Sequence, residues 1–357
     1  MAVTISMSLA ENLAGFLQSG VAPLSAAYHG SVVDIVGTGF GTRPTFGFAG
    51  GKAGRIEKAS VGADTVNSGG FFLSYERPKE IVVDEHRGKV WKSVVWDGNP
   101  ATADNGTIAY DIGQEIPSGG KIFFHAVTKV NCDATQFQWK FYRQEADYSI
   151  QDGGPEWYTM FWKKTVGRYF GVRPMVAAGS AVTAYLSGEA SSAIKMDGAP
   201  EWFSLNYYDV VGSENTENGI NYGESTAESG TTQLFDINNS IHIDVGVTQR
   251  PRWKVLQNYL GSYLEGDPTI GEIYVDDFYV QWATSSDDLV RAVISSSATY
   301  SARTDDEIQY PSTGWTDTNA QIVVNTGGLS NGVKYVHIVK DKNTVMQTTQ
   351  ITIVSAP

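Results

Sequence analysis

The sequence predicts an all-β protein, and two observations support this. Glycine occurs 38 times, and tyrosine, phenylalanine and tryptophan occur 18, 15 and 9 times, a composition typical of strands joined by tight turns. Short apolar stretches alternate with polar residues along most of the chain. With 357 residues and 41% hydrophobic content, the chain has enough material for two or three domains with real cores.

Charge, cysteine content and hydropathy exclude several kinds of partner and site. The formal net charge of −13 argues against nucleic acid, because phosphate binding needs clustered Lys and Arg. Cys132 is the only cysteine, so the chain forms no internal disulfide and no multi-cysteine metal site. No apolar run has the length of a membrane span, and residues 1–20 lack the basic start of a secretory signal. We expect synthesis in a cytoplasm, and neither membrane nor nucleic-acid partners.

Residues 1–20 form a separate N-terminal arm in this prediction. The pattern indicates a short strand, VTIS, and then a helix that begins at Ser8 with Glu11 as its capping partner and ends at Gly20. We expect the arm to pack on its own fold, with docking on a neighbouring molecule as the alternative.

An apolar run, VVDIV at 32–36, leads into the glycine-rich GTGFG at 37–41. A dinucleotide-binding loop would need a third glycine where Thr42 stands and a helix after it, but Arg43 and Pro44 continue as an extended stretch. We therefore predict a strand and a tight turn.

From about residue 49 the chain alternates strands and turns until about residue 284. The clearest strand patterns are KIFFHAVTKV (121–130), QFQWKFYRQ (136–144), EWYTMFWKK (156–164), EWFSLNYYDVV (201–211), SIHIDVGV (240–247) and GEIYVDDFYVQWA (271–283). No repeat of propeller period is present, which favours one large two-sheet sandwich. The closing IYVDDFYV and the central QWKFYRQ resemble strands of the concanavalin A-like jelly roll of lectins and glucanases, which implies a jelly-roll domain over 49–287.

Two further segments resemble the halves of one IPT/TIG domain, an immunoglobulin-like fold. HGSVVDIVGTGFGTRPTFGFAG (29–50) is similar to its first half, and STGWTDTNAQIVVNTGG (312–328) to its second. The order of the halves predicts a small Ig-like β-sandwich made of 21–48 and 288–357, with the jelly roll inserted between them. VVDIVG should then lie in the same sandwich as AQIVVN (320–325). The resemblance also implies positive φ at Gly39 and Gly41, with Phe40 packed beneath that turn. The alternative is an independent C-terminal domain of 288–357.

The jelly-roll resemblance makes carbohydrate the first ligand to consider, although a fold alone does not define a function. Aromatic side chains stack on sugar rings, and a cation can neutralise an acidic sugar. The candidate glycan-binding residues are Trp157, Tyr158, Trp162, Trp202, Tyr207 and Arg143. Alternation places Trp157 on the face opposite to Tyr158 and Trp162, so only one of these sets can face water.

The sequence leaves enzymatic activity open and favours its absence, and we assign no catalytic residue. It lacks the E-x-D-x-E strand of retaining glucanases. Lyases of jelly-roll type use a Tyr or His beside residues that neutralise the uronate carboxylate. Candidates for those roles are His125, Lys140, Tyr142, Arg143 and His242. Strict alternation, however, separates Lys140 and Tyr142 from Arg143.

Asp276 and Asp277 resemble the Asp-Asp pair of jelly-roll carbohydrate modules, in which the first Asp helps to hold a structural calcium. As neighbours in a strand, the two side chains are expected on opposite faces. Apart from this candidate calcium site, we expect no cofactor.

These patterns predict a non-enzymatic structural component of a bacteriophage virion, either a capsid decoration or a tail- or fibre-associated protein, with glycan adhesion through the jelly roll. Ig-like and lectin-like modules are common in such particles. The expected partners are other virion proteins, further copies of the chain and a cell-surface polysaccharide. The alternative is a protein that binds polysaccharide or degrades it by a lyase-type reaction.

Overall fold

The computed structural model describes residues 26–50, 52, 71–73, 80–96, 108–110, 112, 116, 119–132, 136–145, 156–164, 167–175, 185–189, 200–210, 220–236, 259–265, 271–284 and 287–356. Within these ranges the chain forms 23 β-strands and one 3-10 turn, Tyr300–Ala302, and no α-helix. The predicted all-β class is therefore confirmed. The predicted arm at 1–20 and the strand at 240–247 lie outside the described residues. No helix of the described part is long and apolar enough to cross a membrane.

The largest sheet of the described residues is antiparallel and has eight strands: β3 (Thr45–Ala49), β5 (Glu80–Asp84), β6 (Gly88–Trp96), β8 (Lys121–Cys132), β13 (Phe203–Val210), β14 (Ile220–Ala227), β15 (Gly230–Asp236) and β17 (Gly271–Ala283). Their order is β15-β14-β13-β8-β17-β6-β5, and β3 also pairs with β17. The central strands β8 and β17 are buried at consecutive positions, so both faces of the sheet centre are covered. This explains their nearly continuous apolar sequences.

A second antiparallel sheet has five strands in the order β12-β11-β10-β9-β16. These strands are β9 (Gln136–Glu145), β10 (Glu156–Lys164), β11 (Gly167–Met175), β12 (Tyr185–Glu189) and β16 (Tyr259–Glu265). For this sheet the backbone and the register are described. Two short strands, β4 (Phe71–Leu73) and β7 (Ile108–Tyr110), pair separately. The predicted jelly-roll region thus consists mainly of two antiparallel sheets, to which the strands predicted at 121–130, 136–144, 156–164, 201–211 and 271–283 all contribute.

The two ends of the described chain build one further body, here called the split unit (residues 26–41 and 287–356). Its sheets have the orders β1-β23-β22-β18-β19 and β2-β21-β20. The strands are β1 (Ala26–Ala27), β2 (Val32–Val36), β18 (Val290–Ser295), β19 (Glu307–Ile308), β20 (Tyr310–Pro311), β21 (Asn319–Val323), β22 (Gly332–Lys340) and β23 (Thr344–Ile353). A single apolar core joins both ends, because Val33 and Ile35 pack in one cluster with Trp315, Ile322 and Ile338.

The pairing of β2 with β21 confirms that VVDIVG and AQIVVN lie together. Val33 lies opposite Ile322, and Ile35 lies opposite Ala320. The turn after β2 also has its predicted form: Gly39 and Gly41 have φ of 80° and 69°, and Phe40 is buried beneath it. The IPT/TIG-like character of the split unit and the domain limits stay predictions.

One detail of β17 differs from strict alternation. The register against β8 shifts between Asp276 and Tyr279, and Asp277 adopts φ 48°. A β-bulge is the result, and it lies where the opposite edge of β17 passes from β6 to β3. Asp277 and Phe278 share the position between the pairs that Asp276 and Tyr279 form with β8, and the change of direction lets the carboxylates of Asp276 and Asp277 both approach Arg87. The expectation that Asp276 and Asp277 point to opposite faces is therefore wrong.

Candidate functional site

The junction between the eight-stranded sheet and the split unit contains two buried clusters of charged residues. The first is centred on Arg87, in the turn between β5 and β6. Asp84 fixes this turn, because its Oδ1 accepts the backbone N–H of His86 at 3.0 Å and of Arg87 at 3.1 Å. Arg87 is thereby held with only 7% of its surface exposed.

Three carboxylates surround the Arg87 guanidinium. Its Nη2 donates to Glu307 Oε1 at 2.6 Å, and its Nη1 lies 3.4 Å from Asp276 Oδ2 and 3.7 Å from Asp277 Oδ2. Burial alone would lower the pKa of Arg87, but these carboxylates raise it. Burial, followed by the charges of Asp276 and Glu307, raises the pKa of Asp277 well above its ordinary value. Asn325 Nδ2 donates to Asp277 Oδ2 at 2.9 Å.

This arrangement does not fit the calcium ion predicted at Asp276 and Asp277. The guanidinium of Arg87 already supplies positive charge to both carboxylates, and a second cation at the same oxygens would be repelled. Among the described residues, no group of three or more His, Cys, Asp or Glu side chains is arranged to hold a metal ion.

The second cluster is centred on Arg303, which is fully buried. Its Nη2 contacts Glu224 of β14, and it donates to Asp306 Oδ2 at 3.1 Å. Asn206 Nδ2 also donates to Asp306 Oδ2, at 2.6 Å. Burial would raise the pKa of Asp306, but Arg303 and the other donors lower it to about 2.

His125 completes the second cluster on β8. Its Nδ1 lies 2.8 Å from Asn206 Oδ1, and because that oxygen can only accept, Nδ1 carries the proton. Its Nε2 is buried and has no hydrogen-bond partner, a statement that covers the described part of the chain. Burial lowers the pKa of His125, so its imidazole is held neutral. With 1% of its surface exposed, His125 is not accessible to a polymer as a lyase base.

A cavity of about 280 Å³ opens between the two clusters. Trp202 forms part of its wall, half-buried, but the indole is already engaged. The Cζ of Arg87 lies 5.0 Å and the Nζ of Lys129 lies 4.7 Å from the ring centroid, and the indole Nε1 donates to Asp84 Oδ2 at 3.3 Å. In this position Trp202 supports Arg87 and Lys129. Tyr207 is buried at 1% exposure, parallel to Phe124 at 6.4 Å, and so is not available to a glycan.

The other candidate residues lie on the five-stranded sheet, and the register shows which of them share a face. Tyr158 of β10 pairs with Arg143 of β9 on one side and with Arg173 of β11 on the other. Two positions further along β10, Met160 pairs with Lys140. Directly paired residues of an antiparallel sheet share a face, so these positions form adjacent rows of one face.

A third row of the same face holds Trp162, which pairs with Gln138 and with Tyr169. Trp157 belongs to the alternate set, opposite Gln144. The separation of Trp157 from Tyr158 and Trp162 therefore agrees with the predicted alternation.

A register shift between Thr159 and Met160 changes the arrangement on β9. It brings Lys140 to the same face as Arg143, which strict alternation had separated, and leaves Tyr142 in the alternate set opposite Thr159. A sequence pattern cannot reveal this, because a bulge is defined by two strands together. His242 lies outside the described residues.

Comparisons with known proteins give weak likenesses. No protein-family model and no curated protein matches the chain. Among solved structures, the PL-14 alginate lyase from Aplysia kurodai is similar at 8% identity over 57% of this chain and 86% of that chain, with a TM-score of 0.38. An alginate lyase in complex with alginate trisaccharide is similar at 11% identity over 67% of this chain and 99% of that chain, with a TM-score of 0.44.

A third similar structure is the CBM2 module of evolved Dit from Lactobacillus casei BL23 phage J-1. It has 8% identity over 50% of this chain and 69% of that chain, with a TM-score of 0.30. At TM-scores below 0.5, none of these likenesses carries an argument about this chain, and the proposals below depend on its own residues.

Proposed function

We propose that this protein binds an acidic polysaccharide across one face of its five-stranded sheet. The observation that carries the proposal is the row Arg143, Tyr158 and Arg173, followed on one side by rows that contain Lys140 and then Trp162. The row on its other side holds Glu145 and Glu156. Arginine forms strong, directional hydrogen bonds with carboxylate and sulfate groups, and aromatic rings provide apolar surface for sugar rings.

The spacing of the row supports a polymeric ligand. Neighbouring strands lie about 4.8 Å apart, so Arg143 and Arg173, which are two strands apart, are separated by roughly 10 Å at the backbone. A single monosaccharide does not span that distance, whereas consecutive units of an acidic chain do. The positive charge is confined to this row and to Lys140 beside it, because Glu145 and Glu156 occupy the next row of the same face. An acidic chain is therefore expected to follow the line of the two arginines across the strands.

The test is calorimetric titration with alginate as the acidic probe and a neutral glucan as the reference polymer. We expect Arg143→Gln and Arg173→Gln each to weaken alginate binding about tenfold or more, because a charge-assisted hydrogen bond is lost. The matched control is Lys163→Gln, which removes the same charge from the alternate set of β10. Equal losses in all three variants, or no alginate binding by the wild type, would contradict the proposal.

Cleavage of the bound polymer is the second candidate function. Tyr158 lies between two arginines in the register, and a tyrosine between cations suits proton transfer beside a neutralised uronate carboxylate. A lyase would release unsaturated uronates, detected by their ultraviolet absorbance. If the protein is a lyase, Tyr158→Phe should abolish this signal and retain binding. If the wild type gives no signal, its function is binding alone.

As part of the same proposal, we place this adhesion on a bacteriophage virion, where the protein is a capsid decoration or a tail- or fibre-associated component. The support is indirect: one cysteine in 357 residues, and a modular all-β architecture in which a split unit carries the sheets between its halves. Quantitative mass spectrometry of purified particles should find the chain in a fixed copy number. Its absence from particles, with free protein in the lysate, would overturn this assignment and leave the binding proposal standing.

A further inference from the structure

We infer that the split unit and the eight-stranded sheet are locked into one rigid body by a reciprocal exchange of buried arginines. Arg87 comes from the sheet and pairs with Glu307 of the split unit. Arg303 comes from the split unit and pairs with Glu224 of the sheet. Each body thus supplies one buried cation to a carboxylate of the other. The inference does not depend on the proposed function.

Both arginines are buried beyond the reach of solvent screening. The Arg87 side chain is 8% exposed and the Arg303 side chain 0%, while Glu307 and Glu224 are 1% and 6% exposed. Separation of the two bodies would take Glu307 away from Arg87 and Glu224 away from Arg303. Arg87 would keep Asp276 and Asp277, and Arg303 would keep Asp306, within their own bodies. Breaking a buried pair of this kind is strongly unfavourable, even though forming it yields little net stability. The exchange therefore acts against small displacements of one body relative to the other.

Hydrogen bonds from uncharged side chains also cross the junction. Ser204 Oγ and Asn206 Nδ2 of β13 donate to Asp306 Oδ2 at 3.2 and 2.6 Å. In the opposite direction, Asn325 of the split unit donates to Asp277 at 2.9 Å. Hydrogen bonds are directional, so these contacts fix the angle between the bodies as well as their separation.

An apolar cluster fills the remaining junction. It contains Phe48, Phe123, Tyr208, Tyr222 and Tyr279 from the eight-stranded sheet and Leu289, Val293, Tyr300, Ile308 and Val339 from the split unit. Relative motion is the ordinary expectation for two domains of one chain, unless their interface is large and hydrophobic. Here the apolar cluster and the buried charges occur together, and the chain crosses the junction twice, before Thr45 and after Ala283.

An exposed ion pair at the same junction provides a matched control. Asp288 contacts Lys340 Nζ at 2.5 Å and Lys121 Nζ at 3.3 Å, but its side chain is 43% exposed. Exposed pairs contribute little because water and salt screen them. Asp288→Asn therefore removes a charge from the junction without opening a buried pair.

The experiment combines calorimetry with a distance measurement on the full chain. We expect one thermal transition in the wild type, with equal calorimetric and van't Hoff enthalpies. Arg303→Met should split it into two transitions, whereas Asp288→Asn should keep one and shift Tm by no more than about 2 °C. Glu224→Gln, which keeps the side-chain volume, provides a milder variant if Arg303→Met does not fold.

Spin labels attached to cysteines introduced at the exposed positions Lys89 and Thr318 measure a distance between the two bodies. The wild-type background and Asp288→Asn should give one narrow distance distribution, and Glu224→Gln should broaden it. Two transitions or a broad distribution in the wild type would overturn the inference. Arg303 and Glu224 variants that behave like Asp288→Asn in both measurements would also overturn it.

Discussion

At the scale of single residues, one strained position organises the first charged cluster. Asp277 has φ 48°, a left-handed conformation that non-glycine residues seldom adopt. The strain costs on the order of 1 kcal/mol and allows Asp276 and Asp277 both to reach Arg87. Gly50 makes room for this geometry, because a Cβ there would lie 2.2 Å from Asp277 Oδ1. The conformation is thus imposed by tertiary contacts rather than by the residue's own preference.

His125 gives a residue-scale prediction about pH. Burial lowers its pKa from the ordinary 6.5, so as the pH falls through about 6.5 the unfolded chain takes up a proton that the folded chain does not. The free energy of unfolding should therefore decrease below about pH 6.5, by up to about 1.4 kcal/mol per pH unit for this one group. Urea unfolding between about pH 7 and pH 5 measures this slope.

His125→Gln should reduce the slope relative to that of the wild type. A residual slope is expected from His29 and His337, since burial lowers the pKa of both. Asp277 contributes in the opposite sense, because its raised pKa lets the folded chain hold a proton that the unfolded chain has released. An unchanged slope in His125→Gln would show that His125 is protonated to the same degree in the folded and unfolded chains.

Among the strands, β2 shows how a short strand pairs with one partner in one register. Its alternating burial places Val33 and Ile35 in the core of the split unit and Val32 and Val36 at the surface. A shift of one residue would exchange the two sets, so the apolar pattern fixes the register against β21. A five-residue strand is in this way specified across almost three hundred residues of intervening chain.

The element-scale prediction uses two neighbouring positions of β2. Ile35→Ala should lower the free energy of unfolding by about 2–5 kcal/mol, because a buried side chain is replaced by a cavity. Val36→Ala, at a position that is 43% exposed, should change it by less than about 1 kcal/mol. Denaturant unfolding followed by circular dichroism and by intrinsic tryptophan fluorescence, to which Trp315 of this core contributes, measures the change. Equal effects of the two substitutions would mean that β2 is not packed as described.

At the scale of the whole molecule, the topology makes the split unit dependent on both ends of the chain. A core that requires Val33 and Ile35 together with Ile322 and Ile338 cannot form from residues 287–356 alone. The sheets between the two halves must bring their ends together before that core closes, and loop closure over such a length is an entropic cost that local contacts do not offset. The single thermal transition expected for the wild type is a property of the whole molecule, because the two bodies are expected to unfold together.

Local sequence pattern was enough to predict the all-β class, the strands β8, β9, β10, β13 and β17, and a strand followed by a tight turn at 32–41. Each follows from period-two alternation or from backbone preferences, which neighbouring residues set. The pairing of β2 with β21 was predicted from the resemblance of two distant segments to the halves of one IPT/TIG domain. The grouping of Tyr158 with Trp162 on one sheet face followed from the same rule.

Features that require two strands or two bodies at once became visible only in the folded molecule. The bulges that bring Asp276 to Asp277 and Lys140 to Arg143 depend on register against a partner strand. Tyr207 and Trp202 look alike in an alternating aromatic sequence, but packing buries the first and surrounds the second with cations. The exchange of Arg87 and Arg303 has no sequence signature, because a charged residue becomes buried only where distant segments supply its counter-charges.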